Sequence, residues 1–101
     1  MKVYEGGRGL AGALVTVDGA PLDPRFDVHA FSRTGFEWTY VGDGPRQLAL
    51  ALLCDHLGDP ARALALTEPF MRSVVAELDN GWELTGAEIG AALGRLAPPA
   101  G

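Results

Sequence analysis

Three short stretches carry residue types that could do chemistry. Cys54, Asp55 and His56 are consecutive and offer a thiol, a carboxylate and an imidazole. On a helix such neighbours point in different directions, so they cannot converge on one ion or one substrate atom. Cys54 also falls among leucines, which reads as a buried, inert thiol with a raised pKa. Asp27 and His29 would share a face if residues 27 to 31 form a strand. They supply two ligands where a zinc site takes three or four, so no metal site is expected unless the fold brings His56 beside them. The third stretch is FEWTYVGDGPRQLALALL, residues 36 to 53, in which an aromatic run feeds Gly42-Asp43-Gly44 and then an apolar helix. Phosphate-binding loops are built this way. A dinucleotide fingerprint would place a third glycine where Gln47 stands, and a P-loop would place Lys and Ser or Thr where Pro45 and Arg46 stand. Pro45 removes an amide that would face an anion, and Asp43 sets a negative charge in the same mouth. The stretch therefore reads as a strand-to-helix turn, with Arg46 as a single possible anion contact.

Composition narrows the function classes. The chain has 101 residues, 48% hydrophobic and 21% charged, the composition of a folded globular chain, and one core uses up that length, so residues 1 to 101 read as a single domain with 97 to 101 a loose tail. Residues 1 to 50 hold six acids and five bases, whereas residues 51 to 101 hold seven acids and three bases. Acidic charge repels nucleic-acid phosphates and would attract a basic surface on another protein. Phe31, Phe36, Trp38 and Tyr40 could stack bases, but Glu37 and Asp43 flank them, so they read as core and direct nucleic-acid binding is not expected. No apolar stretch is long enough to span a bilayer and the first residues lack an apolar signal region. The lone Cys54 cannot form an internal disulfide. A cytoplasmic site is the expectation.

The element pattern predicts an α+β fold. KVYE reads as a strand, GGRG as a flexible turn and ALVTV as a second strand. Asp18-Gly19 favours a two-residue hairpin turn, and Pro21 restricts the returning segment to an edge. Residues 20 to 35 read as a long ordered loop with room for a short strand from Asp27 to Phe31, and FEWTY is the strongest strand signal in the chain. A first helix is predicted from Pro45 to Leu57, capped by Gly44, with Gln47, Ala51 and Asp55 in one stripe and leucines over the rest. Asp59 and Pro60 start a second helix toward Leu78, with Pro69 predicting a kink near residue 65 or a restart at Thr67. Asn80-Gly81 is the predicted stop. Residues 82 to 84 read as a strand, and Thr85 with Glu88 forms a capping box for a third helix ending near Leu96. The expected architecture is a small antiparallel sheet of three to four strands with three helices packed mainly on one face.

With these residues in view, PLDP followed by SRTGFEWTYVGDGPRQLALALL resembles the signature of a small, functionally uncharacterised domain family of bacteria, archaea and their phages and plasmids. That family is typified by Gly-Phe-x-Trp-Gly-Tyr-x-Gly-Ser-Gly-Pro-x-Gln-Leu-Ala, a Phe-bearing helix and a closing Trp-x-Leu-Thr. The matching residues here are Gly35, Phe36, Trp38, Tyr40, Gly42, Gly44, Pro45, Gln47, Leu48, Ala49, Phe70, Trp82, Leu84 and Thr85. Thr39 stands in place of the usual glycine and Asp43 in place of the usual serine. The resemblance covers roughly residues 15 to 90 and implies a mobile-element context, in which small acidic proteins act as inhibitors of host defence complexes. The expected function is accordingly a non-catalytic, cofactor-free protein-binding module of anti-CRISPR type. Its acidic helical face, Asp55, Asp59, Glu68, Glu77, Asp79, Glu83 and Glu88, would occupy a basic surface of a Cas effector complex. A second reading, from another class, is a small-ligand binder or small enzyme with His29, Arg46 and Gln47 beside the Gly42 to Arg46 loop. Oligomeric state is left open by the sequence.

Overall fold

Two hairpins and one late strand build the sheet. In the computed structural model, which describes residues 2–96, Asp18 and Gly19 take φ of 48° and 85°, the geometry of a two-residue hairpin turn. They join β2 (Gly12–Val17) to β3 (Ala20–Pro21). Strand β1 (Val3–Gly9) pairs with β2 on one side and with β4 (Trp82–Thr85) on the other, giving an antiparallel sheet of order β3-β2-β1-β4. Pro21 stands opposite Thr16 on the sheet edge, as its missing amide requires. The expected 97 to 101 tail lies outside the described residues.

Several predicted elements are corrected. GGRG is no turn: β1 continues through Gly9 and the reversal falls at Leu10 and Ala11. Gly6 permits this because the Trp82 indole lies on it, and a Cβ there would stand 2.3 Å from the ring. FEWTY is not a strand. Trp38 is fully buried, edge-on to Trp82 at 5.8 Å between ring centroids, and its indole Nε1 donates to the Asn80 carbonyl. Arg8 lies 4.4 Å over the Trp38 ring and donates to Glu37, Asn80 and the Trp38 carbonyl. These tertiary contacts override the strand preference of the aromatics. Residues 27 to 31 form no strand either, since the Val28 and His29 amides both turn back to the Arg25 carbonyl. Asp27 and His29 thus lose the shared strand face that a metal pair needed.

The helices follow their caps. Helix α1 (Asp43–Leu57) begins two residues earlier than predicted, with Gly42 as N-cap and Pro45 still in the first turn. Helix α2 (Pro60–Ser73) has Asp59 as N-cap, accepting from the Arg62 amide, and runs through Pro69 without a restart. Thr67, buried, donates to the Ala63 carbonyl inside that helix. The helix ends well before Asn80; a 3₁₀ turn, Val75–Glu77, follows it, and neither Asn80 nor Gly81 has a positive φ. Thr85 and Glu88 exchange the two bonds of a capping box ahead of α3 (Gly86–Leu96), at 3.0 and 3.1 Å. Leu48 to Leu53 of α1 are wholly buried. Tyr4, Val15 and Trp82 from the sheet, Ala63, Phe70 and Met71 from α2, and Ile89, Ala92 and Leu93 from α3 complete the same core.

Candidate functional site

Gln47 sits where sequence suggested a ligand group, and it is fully buried. Its Oε1 accepts from the Phe31 and Ser32 amides at 2.7 and 3.1 Å, and its Nε2 donates to the Pro24 and His29 carbonyls at 2.7 and 3.0 Å. A primary amide has two donor and two useful acceptor positions, so Gln47 is spent on pinning the 24–32 loop. Arg46 is likewise engaged: it donates to Asp43 at 3.1 Å and forks onto Glu68 at 2.7 and 3.2 Å. The Gly42 and Gly44 positions serve close packing. A Cβ on Gly44 would meet Glu37 at 2.7 Å. His29 touches the Gln47 amide only through its backbone, and His56 lies nine residues further along α1, about 13 Å at helical rise, so the histidines do not meet. Among the described residues no three His, Cys, Asp or Glu side chains come together as a metal site. Cys54 is buried and its thiol is pushed up by that burial.

The seven predicted acids are not one free face. Asp55 Oδ2 accepts from the buried Tyr4 hydroxyl at 2.6 Å and from Lys2 Nζ at 3.0 Å. Burial opposes ionisation of Asp55, but these two donors together hold its pKa below the usual value. Burial and the same Asp55 bond push Tyr4 far up. Asp59 caps α2 and Glu88 caps α3. Glu68 binds Arg46 and then Arg72, which together hold its pKa at about 2. Glu77, Asp79 and Glu83 remain exposed and make no ion pair among the described residues.

Backbone parity shows what lies beside Glu83. The Asp18 amide donates to the Val3 carbonyl and the Gly86 amide to the Lys2 carbonyl, so odd-numbered β1 residues bond toward β2 and even-numbered ones toward β4. Glu5 and Glu83, register partners, are therefore a non-hydrogen-bonded pair, the kind whose side chains stand closest. Both project to the solvent face of the sheet, without a cation among the described residues. Gly7 continues that face as bare backbone, with Leu14 as its register partner on β2. Leu14 is 62% exposed and Leu10 at the hairpin tip is fully exposed. Glu5, Gly7, Leu10 and Leu14 line one shallow cavity of about 540 Å³ on this face. Sequence reading missed Glu5, Leu10 and Leu14 because the β1 run of glycines looked like a loop; the alternation of Tyr4, Gly6 and Arg8 against Glu5 and Gly7 was the available signal.

The family described as Family of unknown function (DUF6166) matches residues 4–95. The chain belongs to that family. No curated protein and no solved structure matches it. The match takes in the four strands and three helices almost entirely, and with them the motif around Trp38, Gly44 and Gln47. At Thr39 φ is +81°, a conformation that glycine adopts freely and a β-branched residue does not. None of the described helices is long and apolar enough to cross a membrane.

Proposed function

We propose that the chain is a non-catalytic protein-binding module whose open sheet face seats a basic, apolar-edged surface of a partner protein. The observation that carries this reading is the Glu5–Glu83 pair. Like charges directly opposite one another on neighbouring strands cost stability, and this pair sits beside a glycine floor and two exposed leucines rather than beside a compensating base. Departures from local consistency of this kind mark functional surfaces. The groups that sequence offered for chemistry are fastened internally, Gln47 and Arg46 by hydrogen bonds and Cys54 by burial, which also favours binding over catalysis. Glu77 and Asp79 add exposed negative charge just ahead of β4. In its specific form the partner is a nucleic-acid-handling surface of a Cas effector complex, as expected of an inhibitor from a mobile element.

Two measurements test the coarse and the specific statements separately. Titration of the labelled protein with an amphipathic Lys/Leu helical peptide should shift the amides of Glu5, Gly7, Leu14 and Glu83, and a Glu5→Lys/Glu83→Lys variant should lose most of that response while folding as well as the parent. Shifts confined elsewhere would end the sheet-face reading. Binding to a guide-loaded Cas effector, relieved by target DNA and by salt, would support the specific form; no binding with the peptide response intact would remove the Cas assignment alone.

A further inference from the structure

We propose that the open edge of β2 accepts an extended, acid-bearing peptide segment of a partner protein as an added strand. This site is distinct from the sheet face and does not depend on the Glu5–Glu83 pair.

The argument begins with backbone groups. The Leu22 amide donates to the Val15 carbonyl at 3.0 Å, so Val15 and, two residues before it, Ala13 turn their amides and carbonyls away from β1. Strand β3 covers only Thr16 and Val17. The Ala13 amide and carbonyl have no hydrogen-bond partner among the described residues, so β2 from Gly12 to Leu14 is uncovered on this side, with Ala13 presenting the open amide and carbonyl. Main-chain groups in this state are what an incoming strand satisfies.

The surroundings select the occupant. A groove of about 630 Å³ runs along this edge, with Ala11 to Val15 on one side and Phe26, Phe36 and Arg33 among the residues on the other. Phe26 is 43% exposed there. Side chains of a single added strand would rest on Phe26 and Phe36. Glu37, also in the lining, is neutralised by Arg8 at 2.6 Å. Arg33 makes no ion pair or side-chain hydrogen bond among the described residues, which leaves one uncompensated positive charge at the groove. An acidic side chain on the added strand is its complement. The uncovered edge of three residues, Gly12 to Leu14, calls for a segment of about four residues at strand rise.

The probe is a set of acetylated, amidated hexapeptides of alternating Val and Thr with one Glu at each position in turn, titrated into the labelled protein. At least one should protect the Ala13 amide from exchange and shift the Ala13, Val15 and Phe26 resonances at millimolar or lower concentration. N-methylation of the peptide backbone on the bonding side should weaken it about tenfold. Arg33→Glu should weaken it several-fold and reverse the preference from Glu to Lys in the probe. Ala13→Pro removes the exposed amide and should abolish binding; where that variant fails to fold, the N-methylated peptide carries the same test. Binding indifferent to N-methylation, or no protection of Ala13 by any member of the set, overturns the proposal. Concentration-dependent self-association that protects Ala13 without peptide would overturn it in favour of a second copy. Glu5→Lys/Glu83→Lys should leave peptide binding unchanged, so failure here and failure of the sheet-face reading are separable.

Discussion

Replacing Gln47 tests whether the motif is a fastening or a site. In Gln47→Ala four hydrogen bonds are lost at once, two from loop amides and two to loop carbonyls. At roughly 1 kcal/mol net each, the loss approaches 4 kcal/mol, offset in part where loop backbone reaches water. That is a large share of the about 5–15 kcal/mol that holds a domain of this size together. With a urea slope near 1 kcal/mol per molar, the unfolding midpoint should fall by roughly 3 M, and the Phe31 and Ser32 amides should exchange freely in the folded variant. Gln47→Glu sharpens the test. The introduced carboxylate keeps an acceptor for those two amides but sets its other oxygen against the Pro24 and His29 carbonyls. Burial and those carbonyls raise its folded pKa above the unfolded value of about 4.3. The variant's stability relative to the parent is therefore best below that unfolded value and is lost as pH rises through the folded pKa. A midpoint shift under about 1 M for Gln47→Ala, or a pH dependence of the opposite sign for Gln47→Glu, would refute the assignment of Gln47 to the scaffold.

Thr39→Gly should stabilise the protein. Relief of backbone strain of about 1–3 kcal/mol exceeds the added unfolded-chain freedom of glycine, about 0.5–1 kcal/mol, and the exposed side chain gives up little burial, so thermal melting should move up by several degrees. Gly6→Ala should cost about 2 kcal/mol or more by chemical denaturation, because the new Cβ would stand 2.3 Å from a rigid, buried indole. Glu68 has a folded pKa depressed to about 2 by Arg46 and Arg72; its contribution is present above the unfolded carboxyl pKa and is lost as pH falls toward 2. The parent's urea midpoint should thus drop between pH 5 and 2 more than that of Glu68→Gln. Tyr4→Phe removes the donor that helps keep Asp55 ionised, and titration of Asp55 by carboxyl NMR should move to higher pH.

What could be read from sequence was whatever depended on neighbours in the chain. The Asp18-Gly19 turn, the Asp59-Pro60 helix start and the Thr85–Glu88 box are local devices, each needing only residues within three positions of one another. The failures are tertiary. FEWTY has the composition of a strand, but Trp38 is claimed by Trp82, Arg8 and Asn80, residues 30 to 44 positions away. GGRG looks like a loop until Trp82 is laid on Gly6. The acids of the helical half looked free because their partners, Tyr4 and Lys2 for Asp55 and Arg46 for Glu68, are distant in sequence. The Glu5–Glu83 juxtaposition depends on a strand pairing across 78 residues, which no local pattern encodes.

The residues of the motif around Trp38 and Gln47 bear on function by the work they do inside the fold. Trp38 and Trp82 lock edge to face, Gly44 lets Glu37 approach α1, Gln47 ties the 24–32 loop, and Thr85 caps α3. Each of these groups is consumed by another part of the same chain. Most of the residues proposed for binding lie outside the motif: Glu5 and Leu14 on the sheet face, and Ala13, Phe26 and Arg33 along the β2 edge, are absent from it, whereas Phe36 of the motif lines the edge groove. Under the proposed binding readings, the contact residues on β1, β2 and the 24–36 region can be substituted without disturbing the fastenings beneath. On this argument Gln47→Ala should lose both proposed interactions together with stability, whereas Glu5→Lys/Glu83→Lys should lose most of the sheet-face response and Arg33→Glu should weaken strand addition several-fold, each leaving the melting temperature within a few degrees of the parent.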